Sequence, residues 1–193
     1  MYNTLNSIKC YALIHQQKEI AQTIDDFVEL LQTCIRKKGA FLTVADEVQI
    51  LENYIRLQEF RNGEKYKVIY EIDEKAQQCL IPRLLLQPLV ENAIIHGMDI
   101  KKKQGQLNIE AWIKGESLYL KVQDNGRGMT QEQIKELLGK KEKKTKGLTA
   151  VGIPNIRERL KLYYGEQAEL SFKSSSDGTA VIIYLPVKRN GEG

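Results

Sequence analysis

Asn92 and His96 stand four residues apart in LLLQPLVENAIIHG, residues 84–97, where together with Glu91 they interrupt an otherwise apolar run. On a helix, a four-residue step brings two side chains to one face. Polar groups on an apolar helix need partners, and the Asn92 carbonyl is a hard oxygen suited to a Mg2+ ion that phosphates also hold. The plainer alternative is an amide bonded to neighbouring backbone and an imidazole that only caps the helix. Glu91 is a candidate general base or orienting carboxylate. A helix-surface salt bridge would explain it equally well.

A second cluster, DNGRG, runs from Asp124 to Gly128 directly after a strand-like segment. Asp124 can accept a hydrogen bond from an exocyclic amino group, while Gly126 and Gly128 let the backbone turn and approach a ring without interference from Cβ. Asp-Asn-Gly also makes ordinary turns. Further on, AVGIPNIRERL (residues 150–160) sets Gly152 at the start of a helix, and free N–H groups at a helix N-terminus bind anions. The lysine-rich, glycine-bounded loop before it could close over a triphosphate as a lid. Finally, Gly178-Thr179 opens GTAVIIYLP and could place a hydroxyl near phosphate, or serve only as a hairpin exit.

Periodicity indicates the elements that must position these residues. Ile20, Ile24, Phe27, Val28, Leu31 and Ile35 recur at three- and four-residue steps, which predicts one helical face that must be buried, either as intramolecular core or as a dimer seam. Leu5, Ile8 and Ala12 make a shorter stripe, and the polar stretch from His15 to Lys18 predicts a bend, hence a helical hairpin stopped at Gly39. Thr43 with Asp46 and Glu47 predicts the N-cap and acidic first turn of a third helix ending near Asn62-Gly63. From Val68, Tyr70 and Ile72 the period becomes two, and further strands are expected at residues 107–113, 118–122, 169–174 and 180–185. Helices are expected at 84–96, opened by Pro82, at 130–138 and at 154–164. This order predicts an α+β fold, a two-layer α/β sandwich with helices on one face of a mixed sheet, preceded by the helical hairpin. Residues 1–63 and 64–193 are the expected domains.

Composition bounds the function classes. The 193 residues are 42% hydrophobic and 28% charged, which suits one ordinary domain with a helical extension and excludes a disordered chain. No apolar run approaches the roughly 20 residues that cross a bilayer, and no signal-peptide pattern opens the chain, so the segment is expected to be cytoplasmic and without membrane contact. Cys10, Cys34 and Cys79 are odd in number and form no C-x-x-C pair, which argues against a disulfide framework or a zinc site. Much of the net charge of +4 comes from Lys140, Lys141, Lys143, Lys144 and Lys146. No aromatic residues interleave with that run, so a nucleic-acid partner is not expected.

In their order, the four motifs resemble the GHKL ATPase superfamily, which includes histidine kinases, DNA gyrase, Hsp-type chaperones and mismatch-repair ATPases. Neither a Walker A loop nor a complete G-x-G-x-x-G is present. MYNTLNSI at residues 1–8, the helical hairpin, LQEFRNG and the unbroken LLLQPLVENAI look like the LytS/YesM-type sensor histidine kinases over nearly the whole chain. That resemblance implies the Bergerat ATP-binding fold, ATP and Mg2+ as cofactors, and γ-phosphoryl transfer to a histidine and thence to a response regulator receiver domain. It also implies a homodimer in a membrane-anchored parent.

By the same resemblance, Asn92 coordinates Mg2+ and Asp124 reads the adenine amino group. Gly126 and Gly128 shape the adenine pocket with Met129 packing nearby, Gly147 and Gly152 flank the lid and its phosphate-facing helix, and His96, Ile153 and Thr179 belong to the ATP site. In the family the acceptor histidine lies in a Pro-His-Phe sequence just before YNTLNSI, so the chain is expected to begin after it and not to phosphorylate itself. His15 does not take that part and is expected to face solvent. Ile95 stands where the family often has Lys, and Ala150 replaces the first glycine of G-x-G-L-x-N. These departures leave open a degenerate nucleotide-binding or dimerisation module without kinase activity. A hydrolytic ATPase is disfavoured, because Pro88 occupies the position of the water-activating glutamate of that branch, four residues before Asn92.

Overall fold

Residues 2–36, 39–98, 104–139 and 152–189 are described by the computed structural model. Helices α1 (Tyr2–Ile14) and α2 (Lys18–Arg36) form the expected hairpin, bent where Gln16 takes a φ of 57° and Gln17 N returns to Ala12 O at 2.8 Å. His15 is exposed, its ring 4.3 Å from that of Tyr11. The apolar stripe of α2, expected to be buried, is only partly covered among the described residues: Ile20 and Phe27 are 39% and 40% exposed, while Ile24 and Val28 are half-buried. What α2 buries instead are the small Ala21 and the carboxylate of Asp26, which pairs with Arg56 of the next helix at 3.2 Å. The contact to that helix thus includes an ion pair. The Leu31 and Ile35 side chains lie outside the described residues.

Strand β1 (Phe41–Thr43) leads into α3 (Val44–Asn62). Thr43 and Asp46 form a reciprocal capping pair, Asp46 N to Thr43 Oγ1 at 3.1 Å and Thr43 N to Asp46 Oδ2 at 3.3 Å, and Gly63 at φ 68° ends the helix. Val44, Leu51, Tyr54 and Ile55 of α3 belong to the same buried cluster as the sheet that follows. Next come β2 (Lys67–Ile72), the short α4 (Glu74–Gln77) and β3 (Leu80–Pro82), which pairs with β1. Pro82 thus closes a strand rather than opening a helix. Residues 83–86 turn, with Leu84 at φ 52°, and α5 (Gln87–Asn92) starts only after them. The cause is the buried Glu47 carboxylate of α3, which accepts from Leu84 N at 2.9 Å and Leu86 N at 3.0 Å and so binds N–H donors at the head of α5 from outside.

A π turn (Ala93–Gly97) prolongs α5, Met98 N reaching Ala93 O at 2.9 Å. Then follow β4 (Gln106–Lys114), β5 (Ser117–Asp124), α6 (Gln131–Gly139), α7 (Gly152–Tyr164), β6 (Glu169–Ser175) and β7 (Gly178–Pro186). The sheet order is β2-β4-β5-β7-β6, with β2 parallel to β4 and the other pairs antiparallel, the mixed sheet that the element order predicts. Strand alternation sends Leu107, Ile109, Leu118, Leu120, Ile183 and Leu185 to the helix-covered face, all fully buried. The other face carries Trp112 stacked on Tyr119 and an ion pair of Lys121 with Glu110 at 2.8 Å. Helix α7 starts two residues before Pro154, which sits in its first turn, where a missing N–H is harmless. Among the described residues no helix is long and apolar enough to cross a membrane.

Candidate nucleotide site

Along β5, Leu118, Leu120 and Val122 face the core, and Asp124 is the next residue in the same phase, so the strand delivers a carboxylate to the buried side, 6% exposed. A buried carboxylate needs donors. Asp124 Oδ1 accepts from Gly126 N at 2.7 Å and from Thr179 N at 3.4 Å. The approach that makes this possible requires glycine: a Cβ on Gly126 would lie 2.0 Å from Gly97 O, and one on Gly128, at φ 71°, would lie 1.8 Å from Ser175 O.

The DNGRG loop is held by distant segments as well as by its own Asp124–Gly126 bond. Asn125 Oδ1 accepts from Gln106 N at 2.9 Å, Arg127 N donates to Gly97 O at 2.9 Å, and Met129 N donates to Ser174 Oγ at 2.7 Å. Beside Asp124 opens a cavity of about 360 Å³. Leu89, Asn92 and Ala93 wall it on one side, Met129, Gln133 and Leu137 on the other, and Val122, Phe172 and Val181 come from the sheet. Its size and its apolar walls with few polar groups suit a small organic ligand.

Asn92 donates from Nδ2 to Pro88 O at 2.8 Å. That bond accounts for the amide nitrogen as neighbouring-backbone bonding would, and it fixes the amide so that Oδ1 points away from Pro88. The start of α7 abuts the same place: a Cβ on Gly152 would lie 2.8 Å from Pro88 Cβ and 3.8 Å from Asn92 Nδ2.

Asn92, Asp124, Gly128, Met129, Ile153 and Thr179 therefore line one cavity, with Gly126 against the Asp124 carboxylate. Thr179 lies at the Asp124 end of the cavity. Its N–H is on Asp124 and its hydroxyl is 2.9 Å from Ser174 Oγ, so hairpin pairing of β6 with β7 holds it there. Glu91 faces a neighbouring hollow shared with Gly152 and Arg159, and among the described residues it forms no ion pair. His96 contributes backbone to the π turn, while its side chain, like Gly147, lies outside the described residues.

Sequence reasoning passed over Gly97, Arg127, Gln133, Glu136 and Phe172 in the lining. Gln133, Glu136 and Leu137 carried a signal, a three- and four-residue spacing on one face of α6.

Glu47 was read only as part of an acidic first turn, yet it is fully buried. Burial pushes its carboxyl above the ordinary 4.5, against the pull of N–H donors from Leu84 through Gln87. Since the folded value lies above the unfolded one, its stability contribution is whole below about pH 4.5 and is lost as pH rises through the folded value. Above that pH the melting temperature should fall more steeply in the wild type than in Glu47→Gln. Parallel melting curves would show that this carboxyl contributes no such slope.

A family profile described as histidine kinase-, DNA gyrase B-, and HSP90-like ATPase matches residues 80–189. This chain belongs to that family. A histidine kinase profile covers residues 1–66 of the same histidine kinase-like ATPase. Sensor histidine kinase YesM of Bacillus subtilis (strain 168) is 33% identical over 189 residues, 97% of this chain and 31% of YesM. Sensor protein LytS of Staphylococcus epidermidis is 28% identical over 191 residues, 99% of this chain and 32% of LytS. The chain thus spans about a third of the length of these relatives. Among solved structures, the nucleotide-free catalytic domain of histidine kinase ThkA aligns with a TM-score of 0.59 at 19% identity, covering 77% of this chain and 98% of that one. The histidine kinase domain of the Erythrobacter litoralis EL346 blue-light activated kinase aligns at 0.54 and 19% identity, covering 88% and 75%. Both likenesses concern the fold. Nothing in these comparisons favours the degenerate alternative.

Proposed function

We propose that this chain is the ATP-binding catalytic core of a two-component sensor histidine kinase and that it holds ATP with Mg2+ in the cavity beside Asp124. The observation that carries the reading is a carboxylate on the buried face of β5, opening on a cavity whose backbone walls approach closely only because Gly126 and Gly128 lack Cβ. Asp124 accepts the hydrogen bond of the adenine amino group. Met129, Val122 and Ile153 pack against the base, and Thr179 steadies the carboxylate through its N–H. Asn92 offers Oδ1 to Mg2+, an ion that keeps several waters and phosphate oxygens and so needs few protein oxygens.

When bound, the ion neutralises charge that develops on the transferring phosphoryl group. The N-terminus of α7 at Gly152 offers free N–H groups to the phosphates. Glu91, facing the hollow next to Asn92, orients the incoming imidazole.

Residues 1–63 form the helical region of dimerisation and phosphotransfer type, and residues 64–193 the catalytic domain, although α3 shares the core of the latter. The exposed Ile20 and Phe27 of α2, with Ile8 and Leu13 of α1, supply the apolar surface of a homodimer in a membrane-anchored parent. The γ-phosphoryl group passes to a histidine and from it to a response regulator receiver domain.

Titration calorimetry tests the site directly. Asn92→Ala should weaken Mg·ATP binding by about 10- to 100-fold and leave ATP binding in EDTA near the wild-type value. An equal loss in both conditions would deny Asn92 contact with the ion.

A further inference from the structure

The turn at residues 83–86 is gripped from both sides. Glu47 of α3 accepts from Leu84 N and Leu86 N, while Arg159 of α7 donates to Leu84 O at 3.4 Å and to Arg83 O. Leu84 sits at φ 52°, a left-handed conformation that a branched side chain adopts only when its surroundings over-determine it. Helix α5 follows at once and is six residues long, with Asn92 as its last residue. So short a helix cannot absorb a shift at its head. Asn92 is moreover bonded back to Pro88 O, in the first turn after the gripped segment, so a movement of the turn reaches the amide undiminished.

We propose that Glu47 is a positioning residue for Asn92: by fixing the turn at 83–86 it sets the Asn92 carbonyl at the cavity and links the placement of α3 to the cation-binding end of the site. This rests on the reading of Asn92 as a Mg2+ ligand. The link extends outward, because α3 also carries Arg56, the partner of Asp26 on α2. A tilt of the helical hairpin that drags α3 therefore has a polar route to Asn92 through this carboxylate, beside the apolar packing of α3 on α5, and Arg159 connects the same turn to the helix that begins at Gly152.

The test is ATP titration of the full chain, with Mg2+ and with EDTA. Glu47→Gln keeps the shape, but its amide nitrogen cannot accept, so one of the two N–H groups loses its acceptor. Mg·ATP affinity should fall about tenfold while binding in EDTA stays within about twofold of wild type. Arg159→Gln should reproduce that pattern from the opposite side of the turn, and it decides alone should Glu47→Gln not fold. Glu52→Gln, on the same helix but away from the turn, should change neither value. Equal losses with and without Mg2+, or full Mg2+ dependence in both turn variants, would overturn the proposal. If the wild type itself binds ATP without regard to Mg2+ or to Asn92, the underlying reading of the site fails instead, and the proposal with it.

Discussion

Asp124→Asn should weaken ATP and ADP binding by about 100-fold or more, because it replaces an acceptor with a donor opposite an amino group that is itself a donor. The substitution is close to isosteric. Asparagine retains Oδ1, so the bond from Gly126 N at 2.7 Å survives and the loop stays in place. Calorimetry should therefore show lost affinity with a melting temperature that moves little. A nucleotide with a ring carbonyl in place of that amino group should bind the wild type poorly and recover affinity in the variant, whose Nδ2 can donate to it. Affinity for ATP within about twofold of wild type in Asp124→Asn would remove base recognition from this carboxylate.

Gly128→Ala should act on stability as much as on binding. Its φ of 71° is unfavourable for alanine, and the new Cβ would lie 1.8 Å from Ser175 O and 2.8 Å from Ser175 C, atoms of a paired strand that cannot swing aside. Strain and backbone displacement together should cost about 3 kcal/mol or more, which for a chain of this size lowers the melting temperature by about 6–12 °C. Ser174, next to the clash, bonds both Met129 N and the Thr179 hydroxyl, so the site should open as well. Gly63 supplies the contrast: its φ is 68°, yet nothing lies within 4 Å of a Cβ there, and Gly63→Ala should cost only about 1 kcal/mol. Similar melting temperatures for the two variants would mean that the close approach at Ser175 is not rigid.

Much of this was legible before any coordinates. Alternation in β5 and β7, the Thr43–Asp46 cap and the Gly63 stop depend on local chemistry, and local chemistry is written in neighbouring letters. The departures arise where distant residues decide. Pro82 and the apolar run after it favour one long helix, but Glu47, 37 residues upstream of Leu84, captures N–H groups and forces a turn. The π turn at Ala93–Gly97 has no local signature, and it brings the Gly97 carbonyl to Arg127 N. The bond of Thr179 N to Asp124 follows from the β6–β7 register, which periodicity does not specify. The face of α2 is legible as apolar but not its cover, intramolecular core or dimer seam, since amphipathicity says that a face needs a partner without saying that the partner is in the same chain.

Trp112 lies on the face of the sheet turned away from the cavity, its ring 5.3 Å from Tyr119 and inclined to it by 11°. It is the sole tryptophan of the chain. Its emission should report the integrity of the β4–β5 pair and stay indifferent to whatever occupies the other side. Each variant above thus carries a built-in fluorophore that separates a chain that has come apart from one that has only lost its ligand.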